Sequence, residues 1–284
     1  MIKRELNYQG PSALLYLVAT PIGNMGELSP RAKEIFASMD FLACEDTRNS
    51  GQLFASLGLD KPLISCHEHN EEEASIKIVN LLLKGKKVAY VSDAGYPSIS
   101  DPGERLAKKC LASGIKVAVI NGPSASLCAL VGSGLDTTHY YFEGFLPAKE
   151  SERDKELEEL AARKETLIFY ESPHRIAKTL KAMAKRLGEE RRACLCRELT
   201  KLHEEYIRGT IGEIAALDPT TLLGEMVIII EGNNEKPLSY SDKDIQGFLL
   251  ESLKTKQGKD AVKEVCEKFH LAKNKVYSIY LSIK

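Results

Sequence analysis

The sequence predicts an α/β protein with two α/β domains, a cleft between them and a small C-terminal helical module. Short apolar runs alternate with helical patterns between residues 14 and 125, and a second alternation follows between residues 166 and 231. Residues 237–284 carry helical spacing alone. We place the three parts at residues 13–133, 134–235 and 236–284. Because domain interfaces are common ligand sites, the cleft is the expected site.

Five short apolar strands are predicted in the first domain, at residues 14–19, 41–44, 63–66, 87–91 and 116–120. Helical patterns separate them near residues 50–57, 71–84 and 103–113. An earlier helix begins at Ser29-Pro30, where serine suits the cap and proline the first helical position. This alternation indicates a mostly parallel sheet covered on both faces, with the loops after the strands gathered at one edge.

The second domain is predicted from strands at residues 166–170, 193–197, 205–208 and 226–231 and a helix at 175–187. Residues 132–149, rich in glycine and aromatics, are interpreted as a linker, and the charged segment 150–165 as a solvated helix. Cys194 and Cys196 alternate in a strand pattern, so we expect one of them to face the core.

The C-terminal segment repeats apolar residues at helical spacing three times and holds nine lysines against six acidic residues. Three short helices of this kind resemble a helix-turn-helix bundle, which often binds nucleic acid. A three-helix packing cap is nearly as consistent with the pattern, because the charge excess is small.

The composition is that of an ordinary soluble protein, 43% hydrophobic and 28% charged over 284 residues. A net charge of −1 excludes a globally basic nucleic-acid binder but permits a local basic patch. Seven scattered cysteines without C-x-x-C spacing argue against a disulfide framework or a structural zinc site. With no signal-peptide pattern and no apolar stretch near membrane-spanning length, we expect a cytoplasmic protein without membrane contact.

The segment from Val91 to Gly103 is the most informative loop of the chain. It follows an apolar strand and contains two glycines, two prolines and two carboxylates. Glycine permits unusual backbone angles and proline stiffens the loop, so backbone groups can approach a ligand closely. Open α/β sheets bind ligands at this carboxyl edge. An ordinary strand-to-helix turn is the alternative, but most such turns need only two to six residues.

Several motifs occur in an order and spacing typical of a known family. They are Val18-Ala19-Thr20-Pro21-Ile22-Gly23-Asn24, Glu45-Asp46-Thr47-Arg48, Ser92-Asp93-Ala94-Gly95-Tyr96-Pro97, Ser100-Asp101-Pro102-Gly103, Gly122-Pro123-Ser124-Ala125, Gly144-Phe145-Leu146-Pro147, Phe169-Tyr170-Glu171-Ser172-Pro173-His174-Arg175, Cys196-Arg197-Glu198-Leu199-Thr200-Lys201 and Gly224-Glu225-Met226-Val227. Together they resemble the branch of the tetrapyrrole methylase superfamily, the class III methyltransferases, that modifies bacterial small-subunit ribosomal RNA. The resemblance spans residues 13–232, and the tail resembles that branch's C-terminal helix-turn-helix.

The resemblance implies S-adenosylmethionine as cofactor, folded into the interdomain cleft of a homodimer. It implies 2′-O-methylation of a cytidine ribose in the decoding region of 16S ribosomal RNA, so the partner would be that RNA or the 30S subunit. Tetrapyrrole-modifying relatives carry a Gly-x-Gly-x-Gly-type loop after the first strand. Thr20-Pro21-Ile22-Gly23 stands there instead, which weakens a porphyrinoid substrate.

Cofactor contacts are expected from both walls of the cleft. Asp93 is suited to accept hydrogen bonds from the methionine ammonium or from another donor of the cofactor, and Ala94 and Gly95 offer backbone groups. Ser124 and Ala125 open a helix with free N–H groups, although capping is an equal alternative for Ser124. The motif loops add Pro21, Gly23 and Ser98. The resemblance adds a set on the second domain: Tyr170, Glu171, Ser172, Glu198 and Thr200.

A general base for the 2′-hydroxyl is left unassigned. Asp101, Glu171 and His174 are candidates, because a carboxylate or an imidazole within hydrogen-bond reach can take the proton. For each one a structural role is the stronger alternative: Asp101 suits a cap on the following helix, and His174 suits packing at a helix N-terminus. Catalysis by alignment alone, with water taking the proton, stays open.

RNA contacts are expected from basic residues in or beside the motif loops: Arg48, Arg175, Arg197, Lys201 and Arg208. The helix after Arg175 is also basic, although a solvated face is the usual meaning of such a helix. His67 and His69 have chelating spacing but no evident third ligand, so no metal is expected and a role in the loop or in substrate contact is favoured. The rival functions are a tetrapyrrole-type small-molecule methylase and a cofactor-sensing nucleic-acid-binding regulator.

Overall fold

The computed structural model describes residues 2, 4, 6–9, 13–234, 240–269, 271 and 273–283. The chain divides into two compact units, Met1–Asn233 and Asn234–Lys284. The boundary expected between residues 235 and 236 lies outside the described residues. No helix in the described ranges combines the length and the apolar character that crossing a bilayer requires.

The first sheet of the larger unit is parallel throughout. Its strands stand in the order β3-β2-β4-β1-β5. Their bounds are β1 Leu14–Val18, β2 Phe41–Cys44, β3 Leu63–Ser65, β4 Val88–Val91 and β5 Lys116–Ile120. Every residue of β4 is buried, as expected for a strand inside a sheet covered on both faces. The predicted parallel sheet is confirmed.

Five helices accompany this sheet. They are α1 Pro30–Ser38, α2 Thr47–Ser56, α3 Glu71–Leu83, α4 Glu104–Ala112 and α5 Ala125–Ser133. Helices α1 and α2 contribute Phe36 and Phe54 to one apolar cluster, while α3 and α4 contribute Ile78 and Leu106 to another. The start of α1 is as predicted, since the Ser29 hydroxyl accepts a hydrogen bond from the Ala32 N–H at 3.1 Å.

The second sheet is mixed and has the order β6-β7-β10-β8-β9. Its strands are β6 Tyr140–Phe145, β7 Thr166–Glu171, β8 Arg192–Arg197, β9 Glu205–Thr210 and β10 Met226–Ile230. Strand β6 runs parallel to β7, and the remaining pairs are antiparallel. The linker predicted at 132–149 is therefore wrong. Its centre is an edge strand whose alternating pattern is broken by a bulge between Phe142 and Gly144.

The helices of this half are α6 Glu150–Leu160, α7 Ile176–Leu187 and α8 Ile211–Ala215. Helix α6 is not merely solvated, because Arg153, Leu157 and Leu160 are buried. The expectation that only one of Cys194 and Cys196 faces the core is also wrong. Residues two apart share a face of a strand, and both thiols are buried with their Sγ atoms 3.6 Å apart.

Helix α5 covers one face of the second sheet. Its Ala129 and Leu130 belong to an apolar cluster that also holds Ile168 of β7 and Val227 of β10. Ile22, from the loop after β1, joins the same cluster. This shared core fixes the carboxyl edge of the first sheet against the second sheet.

In the smaller unit, the described residues form three helices, α9 Asp242–Ser252, α10 Gly258–Lys268 and α11 Lys273–Ser282. Their buried core consists of Ile245, Leu249, Val262, Val265, Val276 and Ile279. Each helix contributes two residues to this core at the spacing that the sequence predicts.

Candidate active site

A cavity of about 350 Å³ lies where the carboxyl edge of the first sheet meets the second sheet. The loops after β1, β4 and β5 form one wall, and the ends of β6, β7 and β10 with Leu199 form the other. The lining residues are Ile22, Asp93, Ala94, Gly95, Tyr96, Ile99, Ser100, Asp101, Ser124, Ala125, Phe145, Tyr170, Glu171, Ser172, Pro173, Leu199, Glu225, Met226 and Val227. This position agrees with the ligand edge of open α/β sheets.

The loop after β4 is tied to the loop after β1 by two backbone hydrogen bonds. The Thr20 N–H donates to the Gly95 carbonyl at 2.9 Å, and the Gly95 N–H donates to the Thr20 carbonyl at 3.1 Å. Gly95 has φ +71°, a left-handed angle that glycine adopts without steric cost. The tie explains why the glycine of the Asp-Ala-Gly motif is needed for the shape of the wall.

At the end of the same loop, Asp101 does not cap α4, contrary to the role considered for it. Gly103 is the N-cap residue of α4, and no side chain of its own caps the helix. The free N–H groups are taken instead by Glu71 of α3. Because Glu71 caps α4, Asp101 does not cap this helix, and it lines the cavity wall instead.

Asp93 and Asp101 line this wall, and Glu45 lies close enough to interact with both carboxylates. Burial raises the pKa of Asp101, and the negative charge of Asp93 adds to the effect, while a hydrogen bond with Ser92 opposes it. Burial likewise raises the pKa of Glu45, with further contributions from Asp101 and Asp93. Like charges held partly away from water favour a bound cation, because a cation relieves their repulsion. Asp93 accepts hydrogen bonds from the Asp46 N–H at 3.3 Å and from Asn49 Nδ2 at 2.9 Å.

The opposite wall is built on the end of β7. The Glu171 side chain is 1% exposed and pairs with Arg175, whose Nε lies 3.4 Å away. Thr179 Oγ1 donates to the Glu171 carboxylate at 2.5 Å, and the Ser172 N–H donates at 2.8 Å. These donors fix the position of the Glu171 side chain. Burial raises the pKa of the Tyr170 phenol beside it.

The turn from Glu198 to Lys201 supports the cavity from behind. Glu198 and Thr200 adopt left-handed φ angles of +52° and +66°, which are uncommon for residues other than glycine. Glu198 Oε1 accepts hydrogen bonds from Lys201 Nζ at 3.0 Å and from the Glu225 N–H at 3.1 Å. Leu199 and Glu225 line the cavity, whereas Glu198 and Thr200 do not.

The cavity gathers most of the cofactor residues expected from the sequence. Those that line it are Asp93, Ala94, Gly95, Ser124, Ala125, Tyr170, Glu171 and Ser172, together with Asp101 from the base candidates. Those outside the lining are Pro21, Gly23, Ser98, Glu198 and Thr200. His174 is exposed two residues before α7 and also lies outside the lining. Ser124 occupies the N-cap position of α5 without a side-chain capping bond, and its hydroxyl instead lies 3.0 Å from that of Ser126.

The basic residues expected to contact RNA are mostly engaged in structural bonds. Arg175 donates to the carbonyls of Leu146 and Pro147, and Arg208 donates to those of Gly132 and Ser133. Arg197 pairs with Glu205, and Lys201 with Glu198 and Glu225. The Arg48 side chain is largely exposed and pairs with Asp46. Three lysines on one face of α7 are also exposed to solvent. They are Lys178, Lys181 and Lys185.

Ten lining residues were not predicted: Ile22, Tyr96, Ile99, Ser100, Phe145, Pro173, Leu199, Glu225, Met226 and Val227. All ten lie in or directly beside the quoted motifs, so motif membership was the available signal. Apart from Glu225, they carry no charge that would mark a site from sequence. Outside the cavity, the rings of His67 and His69 stand 6.1 Å apart, and the described residues hold no group of three or more metal-ligating side chains.

The sequence and the fold both match a known family. Residues 14–215 match the family Tetrapyrrole (Corrin/Porphyrin) Methylases. The fold is similar to that of the methyltransferase CobJ, with a TM-score of 0.60 and 15% identity over 78% of this chain and 95% of that one. It is also similar to the uroporphyrin-III-C-methyltransferase of Thermus thermophilus, with a TM-score of 0.53 and 17% identity over 77% and 94% of the two chains. The chain belongs to the tetrapyrrole methylase family and is an enzyme of the methyltransferase class.

Within that family the chain groups with proteins named ribosomal RNA small subunit methyltransferase I. It is 40% identical to that of Bacillus subtilis (strain 168), over 99% of both chains. The protein of that name from Haemophilus influenzae is 42% identical over 95% of this chain and 97% of its own length. The one from Xylella fastidiosa is 46% identical over 77% and 81%.

Proposed function

We propose that this enzyme transfers a methyl group from S-adenosylmethionine to the ribose 2′-hydroxyl of a cytidine in the decoding region of 16S ribosomal RNA. The proposal rests on a cavity lined by the carboxylates of Asp93 and Asp101, in a chain 40% identical along its length to a protein named as a small-subunit ribosomal RNA methyltransferase. A ribosomal substrate implies action in the cytoplasm.

The wall that carries Asp93 and Asp101 fits this cofactor. When bound, S-adenosylmethionine supplies a methyl group on a positively charged sulfonium, and it carries an ammonium group as well. Asp93 and Asp101 offer carboxylates to these cations. The backbone at Ala94 and Gly95 and the N–H groups at the start of α5 suit the polar groups of the nucleoside and the carboxylate.

The chain contributes to the reaction chiefly by alignment. A direct displacement needs the hydroxyl oxygen and the methyl carbon about 3–3.5 Å apart and in line, and such positioning can remove several kcal/mol of the barrier. Ile22, Leu199 and Val227 give the cavity a buried apolar part that limits water. Glu171 is already bound by Thr179 and Arg175, so we do not assign it as the base. We assign Asp101 to the cationic cofactor. The proton of the hydroxyl then passes to water.

Two basic surfaces suit an RNA substrate. Helix α7 begins shortly after the cavity residue Pro173 and carries three lysines that reach solvent, Lys178, Lys181 and Lys185. In the smaller unit, the acidic residues of the described helices lie on α9 and α10, whereas α11 has none and exposes Lys273 and Tyr277. We propose that both surfaces contact RNA phosphates, which makes binding salt-dependent.

The homodimer implied by the family resemblance is also a proposal. Helix α5 exposes Leu127 and Val131, and Val131 is 75% exposed. Exposed apolar side chains on one helix suit contact with a second copy. Light scattering of the wild type and of Val131→Glu tests this. A wild-type monomer, or a dimer that the substitution leaves intact, counts against the assignment.

The test of the proposed function is transfer of labelled methyl from S-adenosylmethionine to 30S subunits that lack ribose methylation, with naked ribosomal RNA in parallel. We expect label in ribosomal RNA in at least one of the two. Absence of transfer to both, with cofactor binding intact, would favour a tetrapyrrole-type small-molecule methylase.

A further inference from the structure

Two apolar side chains at the cavity are exposed to solvent, unlike the buried part of its apolar lining. Ile99 is 48% exposed and Phe145 is 53% exposed, whereas Leu199, Met226 and Val227 are buried. Ile99 comes from the loop after β4 and Phe145 from the end of β6, so each wall contributes one. The exposed pair therefore marks the mouth of the cavity.

A bulge in the edge strand places Phe145 at this mouth. Phe142 pairs with Ile168 and Phe145 pairs with Tyr170, with Glu143 left as the extra residue. Residues three apart in a regular strand point to opposite faces, so without the bulge Phe145 would point away from the face of Phe142. With the bulge, both phenylalanine rings contact the Tyr170 ring, at centroid distances of 5.0 Å and 5.6 Å.

Unusual backbone angles flank Ile99 on the other wall. Ser98 has φ +73° and Ser100 has φ +60°, in the left-handed region that residues other than glycine rarely adopt. Such angles persist where the surrounding structure enforces them, and they cluster at ligand sites. The two walls also come close here, because a Cβ added to Gly144 would lie 3.1 Å from Ser100 Oγ.

We propose that Phe145 and Ile99 hold the nucleobase of the nucleotide whose ribose is methylated. This inference rests on the proposed function. The reacting 2′-oxygen is bound to C2′, and the base is bound to the adjacent C1′. A 2′-hydroxyl that reaches a methyl group inside the cavity therefore leaves its base at the mouth, against these two side chains.

The chemistry of the pair suits a base rather than the sugar or the phosphate. An aromatic ring stacks on the face of any base, and an aliphatic side chain packs on the opposite face. Neither side chain carries a hydrogen-bonding group, so the pair holds the base without reading its identity. Selection of cytidine must then come from other contacts or from the folded RNA.

The test compares Phe145→Ala with Tyr140→Ala. Tyr140 belongs to the same edge strand and is 47% exposed, but it does not line the cavity. Removal of one stacking ring should raise the KM for 30S subunits by about tenfold. We expect the Kd for S-adenosylmethionine to stay within about twofold in both variants, and Tyr140→Ala to keep the wild-type KM. Phe145→Tyr should restore most of the affinity, and Ile99→Ala should show a smaller increase in KM.

Each outcome decides the inference. An unchanged KM in Phe145→Ala, with wild-type transfer intact, would overturn the role of Phe145 and leave the proposed function standing. A Kd for the cofactor that rises as much as the KM would assign the ring to the cofactor site instead. Absence of methyl transfer by the wild type would overturn the proposed function and this inference together.

Discussion

The buried carboxylate of Glu71 accepts a hydrogen bond from the backbone N–H of Gly103 at 3.0 Å. The same oxygen accepts a second hydrogen bond from the Leu106 N–H at 3.2 Å. Glu71 is the first residue of α3, whereas Gly103 ends the cavity loop and begins α4. A carboxylate at a helix N-terminus is also favoured by the helix dipole. One side chain thus holds the end of the loop that carries Asp93 and Asp101.

Replacing Glu71 by alanine should destabilise the protein. Two N–H groups would be left without an acceptor, at a cost of about 1–3 kcal/mol for each buried group left unsatisfied. Urea unfolding monitored by circular dichroism measures the change. The control is Glu72→Ala, which removes an exposed pair with Lys109 and should destabilise the protein much less. Equal destabilisation in the two variants would mean that the buried cap contributes no more than a surface ion pair.

Replacing Asp101 by asparagine should weaken cofactor binding by at least about tenfold, which corresponds to about 1.4 kcal/mol. The amide has the shape of the carboxylate but no charge to attract the cofactor's cations. In the wild type, affinity should fall as the pH is lowered through the raised pKa of Asp101, because the carboxyl then binds a proton. Calorimetric titration at several pH values measures both effects. The exposed Asp60→Asn serves as control, and an Asp101→Asn variant with wild-type affinity but no turnover would restore Asp101 as a candidate base.

The same substitution should stabilise the protein in the absence of cofactor. Since burial raises the pKa of Asp101 above its ordinary 3.8, the folded state binds this proton more tightly than the unfolded state does. The free energy of unfolding therefore falls as pH rises through the interval between the two pKa values, and it stays lowered at neutral pH. Thermal unfolding at pH 7 should give a higher Tm for Asp101→Asn, and a lower Tm would show that the carboxylate is a net stabiliser.

The lysines of α7 should contribute to the salt dependence of RNA binding. Replacing Lys178, Lys181 and Lys185 together by glutamine should lower the slope of log affinity against log salt by about one for each phosphate that the variant no longer neutralises. In the matched control, three exposed lysines in and just after α3 are replaced by glutamine. They are Lys77, Lys84 and Lys86. Filter binding of 30S subunits at several salt concentrations measures the slopes. Identical slopes for the two triple variants would remove α7 from the RNA surface.

Helix α11, which has no acidic residue, should contribute more to RNA binding than α10 does. Lys273→Glu reverses a charge on α11, and Lys259→Glu makes the same change on α10 beside Asp260. We expect the first to weaken 30S binding several-fold more than the second, with cofactor affinity unchanged in both. If both variants bind 30S subunits as the wild type does, the three helices act as a packing module.

The first sheet could be predicted from the sequence because each strand is a short apolar run that ends in a loop rich in proline, glycine or charge. Strand β6 could not, because the bulge at Glu143 breaks the alternation on which strand prediction depends. The role of Glu71 was hidden for another reason. It opens a run of three glutamates that has the appearance of a solvated helix start, and only the packing of α3 on α4 buries the first of them.

In the candidate site, too, some residues could be predicted from the sequence and others could not. Charged residues and glycines in motif loops, such as Asp93 and Gly95, could be predicted to line the cavity because their chemistry indicates a ligand. Phe145 and Ile99 carry no such signal, since their exposure depends on a bulge and on two left-handed serines. Glu198 and Thr200 do not line the cavity, because the backbone of their turn presents Leu199 to it.

The position of the transferred methyl group distinguishes the proposed reaction from its alternatives. After reaction with labelled S-adenosylmethionine and unmethylated 30S subunits, the ribosomal RNA is digested to nucleosides and separated by mass. The proposed reaction predicts label in 2′-O-methylcytidine, within a fragment from the decoding region. Label on a nucleobase, on another ribose, or on no RNA at all would contradict it.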